Sequence, residues 1–219
     1  MKSVYNEKEA FWIDLESPTR EEVAESARAA GLETSTVEEL LSPSLKHKVE
    51  FGENHAYIVL HFPAYGESKK DDAAYEVDFI LTKNVVITTH YEKIEPLKNF
   101  KPAEQDEHGL FFGLFGELLN NFEQKLSSVD HWVRDVEKKM FSGHEKETIF
   151  ELSEASRHLI DFRKITAVYP EVLEALSTEG GEMFGKKFAH TAEVMSARFE
   201  KSKNKLDVLF ETVHELRET

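Results

Sequence analysis

Four carboxylates stand out for the chemistry they could do: Glu67, Asp71 and Asp72 in a polar stretch, and Asp130 in a long helical segment. Hard carboxylate oxygens suit Mg²⁺, which keeps most of its waters and often takes only one or two protein ligands. Two His/acid pairs at helical spacing, His190 with Glu193 and His131 with Asp135, put two potential ligands on one helix face. An imidazole at His190 widens the choice of ion to Zn²⁺ or Co²⁺. The candidate metal ligands are therefore Glu67, Asp71, Asp72, Asp130 and His190. Each competes with the plainer role of a solvated side chain, which an acidic chain supplies in any case. There is no Gly-rich phosphate loop, no G-x-S-x-G elbow and no H-E-x-x-H, so neither an enzyme nor an organic cofactor is expected.

Composition narrows the partners. The 219 residues carry 27 Lys and Arg against 42 Asp and Glu, a formal charge of -15 that repels phosphate backbones and anionic headgroups. Nucleic acid is excluded as a natural partner, and cations are favoured. There is no cysteine, which removes disulfides, thiolate zinc sites and thiol catalysis. With 40% hydrophobic residues the chain has enough apolar material for a real core. No stretch approaches the ~20 apolar residues of a membrane span.

The elements that must position these groups fall into two stretches, 1–103 and 104–219. In the first, 11–15 predicts a strand, and Ser17-Pro18 predicts an N-cap and first helical residue with Glu21 and Glu22 in the first turn. Gly31 ends that helix, and Ser35 with Glu38 reads as a capping box for a second. Strands are expected at 48–51 and 56–62, then a polar loop over 66–74. Tyr75, Val77, Phe79 and Leu81 alternate into a hairpin that turns at Lys83-Asn84 and returns through 85–89. This is an α/β (α+β) domain, a mixed sheet covered by short helices. In the second stretch, Leu110 to Met140 marks a helix of some thirty residues, and Ser142-Gly143 turns it into an antiparallel partner over 145–169. Gly180-Gly181 is expected to separate these from a last helix, 184–219. Its stripe of Phe184, Phe188, Ala192, Met195, Phe199, Leu206, Leu209, Val213 and Leu216 runs without a terminal cap. At about 1.5 Å per residue it would reach roughly 54 Å, which predicts that something else attaches to it and that the chain is a piece of a longer one.

The order of short motifs resembles the cytoplasmic part of the CorA-type magnesium transporter family. The matching pieces are Phe11-Trp12-Ile13-Asp14-Leu15, Ser17-Pro18-Thr19, Gly31, Glu38-Glu39-Leu40-Leu41-Ser42-Pro43, Lys48-Val49-Glu50, Tyr57-Ile58-Val59-Leu60 and 79–90. The resemblance implies a homopentamer whose α/β domains and stalk helices form a funnel at the cytoplasmic face of the inner membrane. Two membrane helices per subunit, with a Gly-Met-Asn pore motif that this sequence lacks, would follow the stalk. It implies passive movement of Mg²⁺, with regulatory Mg²⁺ held between subunits by loop and stalk carboxylates. The pair joined at Ser142-Gly143 resembles the family's acidic hairpin, with Asp130, Asp135 and Glu137 on it. Two departures stand out: Ala189 occupies a position where an Asp is expected, and Glu33-Thr34 replaces a His-Pro pair. The competing expectations are a zinc or cobalt transporter of the same superfamily and a soluble acidic oligomerising scaffold without a pore.

Overall fold

The computed structural model describes residues 1–7, 10–32, 34–44, 46–64, 73–102, 107–142 and 145–218. Six strands form one mixed sheet: β1 (Lys2–Glu7), β2 (Ala10–Glu16), β3 (Lys48–Phe51), β4 (His55–Pro63), β5 (Ala74–Thr82) and β6 (Val85–His90), in the order β1-β2-β6-β5-β4-β3. Every pair is antiparallel except β2 with β6, which run parallel with Trp12 opposite Val86 and Asp14 opposite Thr88. The strands predicted from period-2 patterning are all present. β1 goes unread because Lys2-Ser3-Val4-Tyr5 has little apolar content, and an edge strand needs none on its open side.

The helices are α1 (Arg20–Ala29), α2 (Thr34–Glu39), α3 (Glu95–Asn99), α4 (Glu107–Phe141), α5 (Glu145–Thr166), α6 (Tyr169–Ser177), α7 (Glu179–Phe184) and α8 (Lys186–Glu218). The expected N-cap of α1 at Ser17 is displaced to Thr19, whose hydroxyl accepts from the Glu22 amide at 3.3 Å while Glu22 accepts from the Thr19 amide at 3.0 Å. Ser17 adopts φ +43° and ties the two strand ends together, donating its amide to the His90 carbonyl at 2.7 Å and its hydroxyl to the Tyr91 carbonyl at 2.9 Å. Gly31 closes α1 as expected. At φ +70° it lets Leu32 bond back to Ala27 and its own amide bond to Arg28, the paired contacts of a Schellman end.

One sheet face is covered by α1, α2 and the turn after it, where Val23, Ala27, Val37 and Leu40 pack on Ile13, Leu15, Val59, Ile80 and Ile87. The other is covered by the long helices. There Phe79 meets Phe111 edge-on at 5.4 Å, and Phe62 meets Phe115 and Tyr169 at 6.2 and 5.7 Å. α4 and α8 run parallel, because contacts rise in step along both: Phe112 with Phe188, Glu123 with Arg198, Asp130 with Lys205. α5 runs antiparallel to both, pairing Phe122 with Phe162, Lys139 with Glu151 and Arg163 with Asp207.

Two expectations about the last helix are corrected. Its stripe is buried by its own chain: Phe188, Ala192, Phe199, Leu206, Leu209 and Val213 are all covered, Ser202 fills the gap in the heptad, and α4, α5 and α6 do the covering. The stripe alone therefore calls for no outside partner. The break that opens the helix falls at Gly185, φ +96°, and not at Gly180-Gly181, which lie inside α7. Those two glycines serve close packing instead. A Cβ on Gly180 would stand 2.6 Å from the Phe188 ring, and one on Gly181 would stand 2.8 Å from Ala189 Cβ. The predicted helix over 145–169 also divides, with α5 ending at Thr166 and α6 restarting around Pro170.

Candidate metal centre

The loop carboxylates Glu67, Asp71 and Asp72 lie outside the described residues, but the stem that carries them is well defined. The Ala64 amide donates to the Ala73 carbonyl at 2.9 Å, closing the ends of β4 and β5. Lys125, buried on α4, donates to the Pro63 carbonyl and lies 5.1 Å from the Tyr75 ring centroid. A fixed cation thus sits at the root of the acidic segment.

Asp130 faces α8 from the middle of α4, with its side chain 17% exposed. Arg134 grips both its oxygens, at 3.1 and 3.2 Å, and Lys205 from α8 stands 3.7 Å away. It borders a cleft of about 490 Å³ between α4 and α8 that Glu137, Val208 and Thr212 also line. A cation at Asp130 has two basic groups to displace. His190 is different in kind: its side chain is 78% exposed on the first turns of α8, with Nδ1 3.7 Å from Glu193. Because α4 and α8 are parallel and Lys205 marks the level of Asp130, fifteen residues of α8 separate the two, roughly 22 Å. The fold does not bring Asp130 and His190 together. His131 and Asp135 form no pair either, since Nδ1 of His131 contacts the Ser127 carbonyl at 2.7 Å and Asp135 accepts from Lys138 at 3.0 Å. Among the described residues no group of three His, Asp or Glu side chains is arranged to hold a metal ion.

Other acids on the bundle are also occupied. Glu123 binds Arg198 at 2.7 Å and accepts from Ser202 at 2.9 Å; burial opposes its charge, yet these donors hold its carboxyl below the usual range. Asp207 pairs with Arg163 at 3.2 Å, and Arg163 lies over the Phe210 ring at 4.6 Å.

Two buried polar clusters escaped the sequence reading. Between sheet and helices, Trp12 donates to Thr88 at 2.8 Å, Thr88 donates to Asp14 at 2.6 Å, and His90 Nε2 lies 3.3 Å from the same Asp14 oxygen. Burial works against a charge on His90, but Asp14 and the Glu92 carbonyl raise its pKa all the same. The cluster is not a catalytic triad: the Thr88 hydroxyl gives its proton to the carboxylate and not to the imidazole. It ties β2 to β6 instead, where Asp14 and Thr88 are register partners. On the opposite sheet face, Glu76 and Asp78 of β5 are 8% and 1% exposed. Alternation with Val77 and Phe79 reads as a water-facing side in sequence, and only α2 and the segment after it make that side interior.

Comparison with known proteins agrees with this architecture. The chain is 24% identical over 204 residues to the cobalt/magnesium transport protein CorA of Thermotoga maritima, covering 84% of this chain and 57% of that protein. It therefore spans little more than half of that relative's length. The complete CorA magnesium transporter structure of Methanocaldococcus jannaschii superimposes with TM-score 0.72 at 18% identity, over 98% of this chain and 68% of that one. The ZntB cytoplasmic domain of Vibrio parahaemolyticus gives 0.78 at 10% identity, over 97% and 86%. The family described as CorA-like Mg²⁺ transporter protein matches residues 7–219. On that match, which takes in strands β2 to β6 and the helices from α1 to α8, the chain belongs to the CorA-like Mg²⁺ transporter family.

Proposed function

We propose that this chain is the cytoplasmic regulatory part of a CorA-type divalent-cation channel, sensing intracellular Mg²⁺ and biasing the pore toward its closed state. The family match over 7–219 carries the reading. No helix among the described residues is long and apolar enough to cross a membrane. The protein would sit at the cytoplasmic face of the inner membrane as a homopentamer. Residues 1–103 would present the sensor loop, and 104–219 would carry its state to the membrane.

Glu67, Asp71 and Asp72 are the ligands we assign to the regulatory ion, on a loop whose stem is pinned by the Ala64–Ala73 bond. Asp130 joins them only by exchanging Arg134 and Lys205 for the ion. The mechanism is a population shift: a cation bound between acidic subunits favours the assembled closed state by its differential affinity, and its loss restores repulsion within a chain of charge -15. Mg²⁺-dependent protection from limited proteolysis tests this. Protection is expected in the parent and is weakened in the Asp71→Asn/Asp72→Asn variant; equal sensitivity of both across the titration removes these residues as sensors.

The likeness to the ZntB cytoplasmic domain and the exposed His190/Glu193 pair support a second reading, a zinc or cobalt transporter of the same superfamily. Protection by Zn²⁺ at concentrations where Mg²⁺ has no effect, lost in His190→Ala, would favour it.

A further inference from the structure

Four of the five buried side-chain polar atoms that lack a hydrogen bond among the described residues lie on one patch of the sheet: Glu76 Oε2, Asp78 Oδ1, Thr89 Oγ1 and the Tyr91 hydroxyl. Glu76 and Asp78 are two apart on β5 and so point the same way, and Asp78 is the register partner of Thr89 on β6. Buried polar atoms left unpaired are costly, so a concentration of them means that something completes the site.

The neighbours show what is missing. Tyr57 donates to Asp78 Oδ2 at 3.0 Å, and the Ser44 amide donates to Glu76 Oε1 at 2.8 Å. His61 Nε2 contacts the Ser44 carbonyl and Glu76 Oε2, each at 3.0 Å. Glu39 of α2 faces the same region but is ion-paired to Lys48 of β3 at 2.6 Å, and Lys48 in turn lies 4.8 Å from the Tyr57 ring centroid and 2.9 Å from Glu50. His61 is the only cation among the described residues in ionic contact with either buried acid. Protonated, it balances one carboxylate and leaves the second, buried beside it, uncompensated.

We propose that Glu76 and Asp78 form a buried proton-binding site, in which one proton held on Asp78 Oδ1 is donated to Glu76. That proton supplies the donor both oxygens lack and makes the group of His61, Glu76 and Asp78 electroneutral. It acts as a latch: losing it sets two like charges side by side beneath α2 and the Ser44 segment, loosening that cover of the sheet in mildly alkaline solution. A metal ion is the less suitable occupant, since among the described residues no three acid or imidazole side chains are arranged to hold one. In agreement, burial first and the neighbouring Glu76 second push the Asp78 carboxyl up to about 8, while the close Glu76 carboxylate raises His61. The proposal stands independently of the transport reading.

The test is a carboxyl-carbon NMR titration of the chain and its Asp78→Asn variant from pH 5.5 to 9.5, with urea unfolding at each pH. One parent carboxyl titrates above pH 7 and is absent from D78N. Because the folded state holds a proton that the unfolded chain has released, the parent's unfolding constant rises relative to D78N by about tenfold per pH unit up to the folded midpoint, then levels. D78N keeps a donor toward Glu76 and is at least as stable as the parent at pH 8. Titration of every carboxyl below pH 6, or parallel profiles for the two proteins, overturns the proposal. So does a midpoint that falls as Mg²⁺ is raised, which would make the site a metal site. Should D78N fail to fold, the parent's carboxyl titration decides alone.

Discussion

Removing one hydroxyl from Tyr169 tests whether sheet and helices form a single cooperative core. Tyr169 is fully buried at the start of α6, its ring 5.0 Å from Phe199 and 5.7 Å from Phe62. Its hydroxyl donates to the His61 carbonyl of β4 at 2.8 Å, and burial pushes its pKa well above the usual phenol range, so the group stays a donor at any working pH. Tyr169→Phe keeps the ring stack and deletes that bond. The carbonyl it leaves is only partly buried, so water recovers some of the loss and the expected cost is about 1–1.5 kcal/mol, near the middle of the hydrogen-bond range. That is about a tenfold rise in the unfolding constant. Tyr169→Ala adds a cavity between α6, α8 and the sheet and should cost about 3–5 kcal/mol, by analogy with other large aromatic truncations. The assay is urea unfolding in a Trp132→Phe background, with Trp12 fluorescence reporting the sheet and far-ultraviolet dichroism reporting mainly the helices. Both probes should shift together in the Tyr169 variants with the same midpoint. A Tyr169→Phe effect under about 0.3 kcal/mol, or a shift of one probe only, would refute the claim that this bond joins two parts of one core.

The same substitution should have opposite signs at two glycines. Gly116→Ala in α4 places its Cβ at an ordinary 3.5 Å from Met195, so the helix gains about 0.5–1 kcal/mol from reduced backbone entropy. Gly180→Ala drives a Cβ to 2.6 Å from a Phe188 ring that Phe111, Phe112 and Phe184 hold in place, and overpacking of about 1–3 kcal/mol should outweigh the propensity gain; equal effects in thermal unfolding would contradict this. Asp14→Asn should lower the His90 midpoint in a proton NMR titration. His90 contributes stability that is full below the unfolded value of about 6.5 and is lost as pH rises through its raised folded value, so the variant should flatten that part of the stability profile, and an unmoved midpoint would exclude Asp14 as the cause.

Local patterning made much of this protein legible before any tertiary contact was known. Alternation gave β4, β5 and the hairpin to β6, because a strand's two faces must differ when one packs on helices. The 3.6-residue stripe gave α4, α5 and α8, and Gly31 announced the end of α1 because only a residue free to take positive φ closes a helix that way. The order of short motifs was enough to indicate the family.

What needed the folded chain is everything set by partners distant in sequence. Parallel pairing of β2 with β6 joins residues more than seventy apart, and nothing local to Trp12 or Thr88 encodes it. Gly180-Gly181 looked like a linker because a glycine pair is flexible in isolation; packed against Phe188 and Ala189, the same pair lets α7 lie close against α8. Asp130 stands in sequence with no visible partner on α8, and only the fold brings Lys205 alongside it. Glu76 and Asp78 carried the signature of a solvated sheet face until the segment at Ser44 closed over them. Residue type determines what a carboxylate can do, but its charge state and partners follow from the dielectric and the donors around it, and those exist only once the chain has folded.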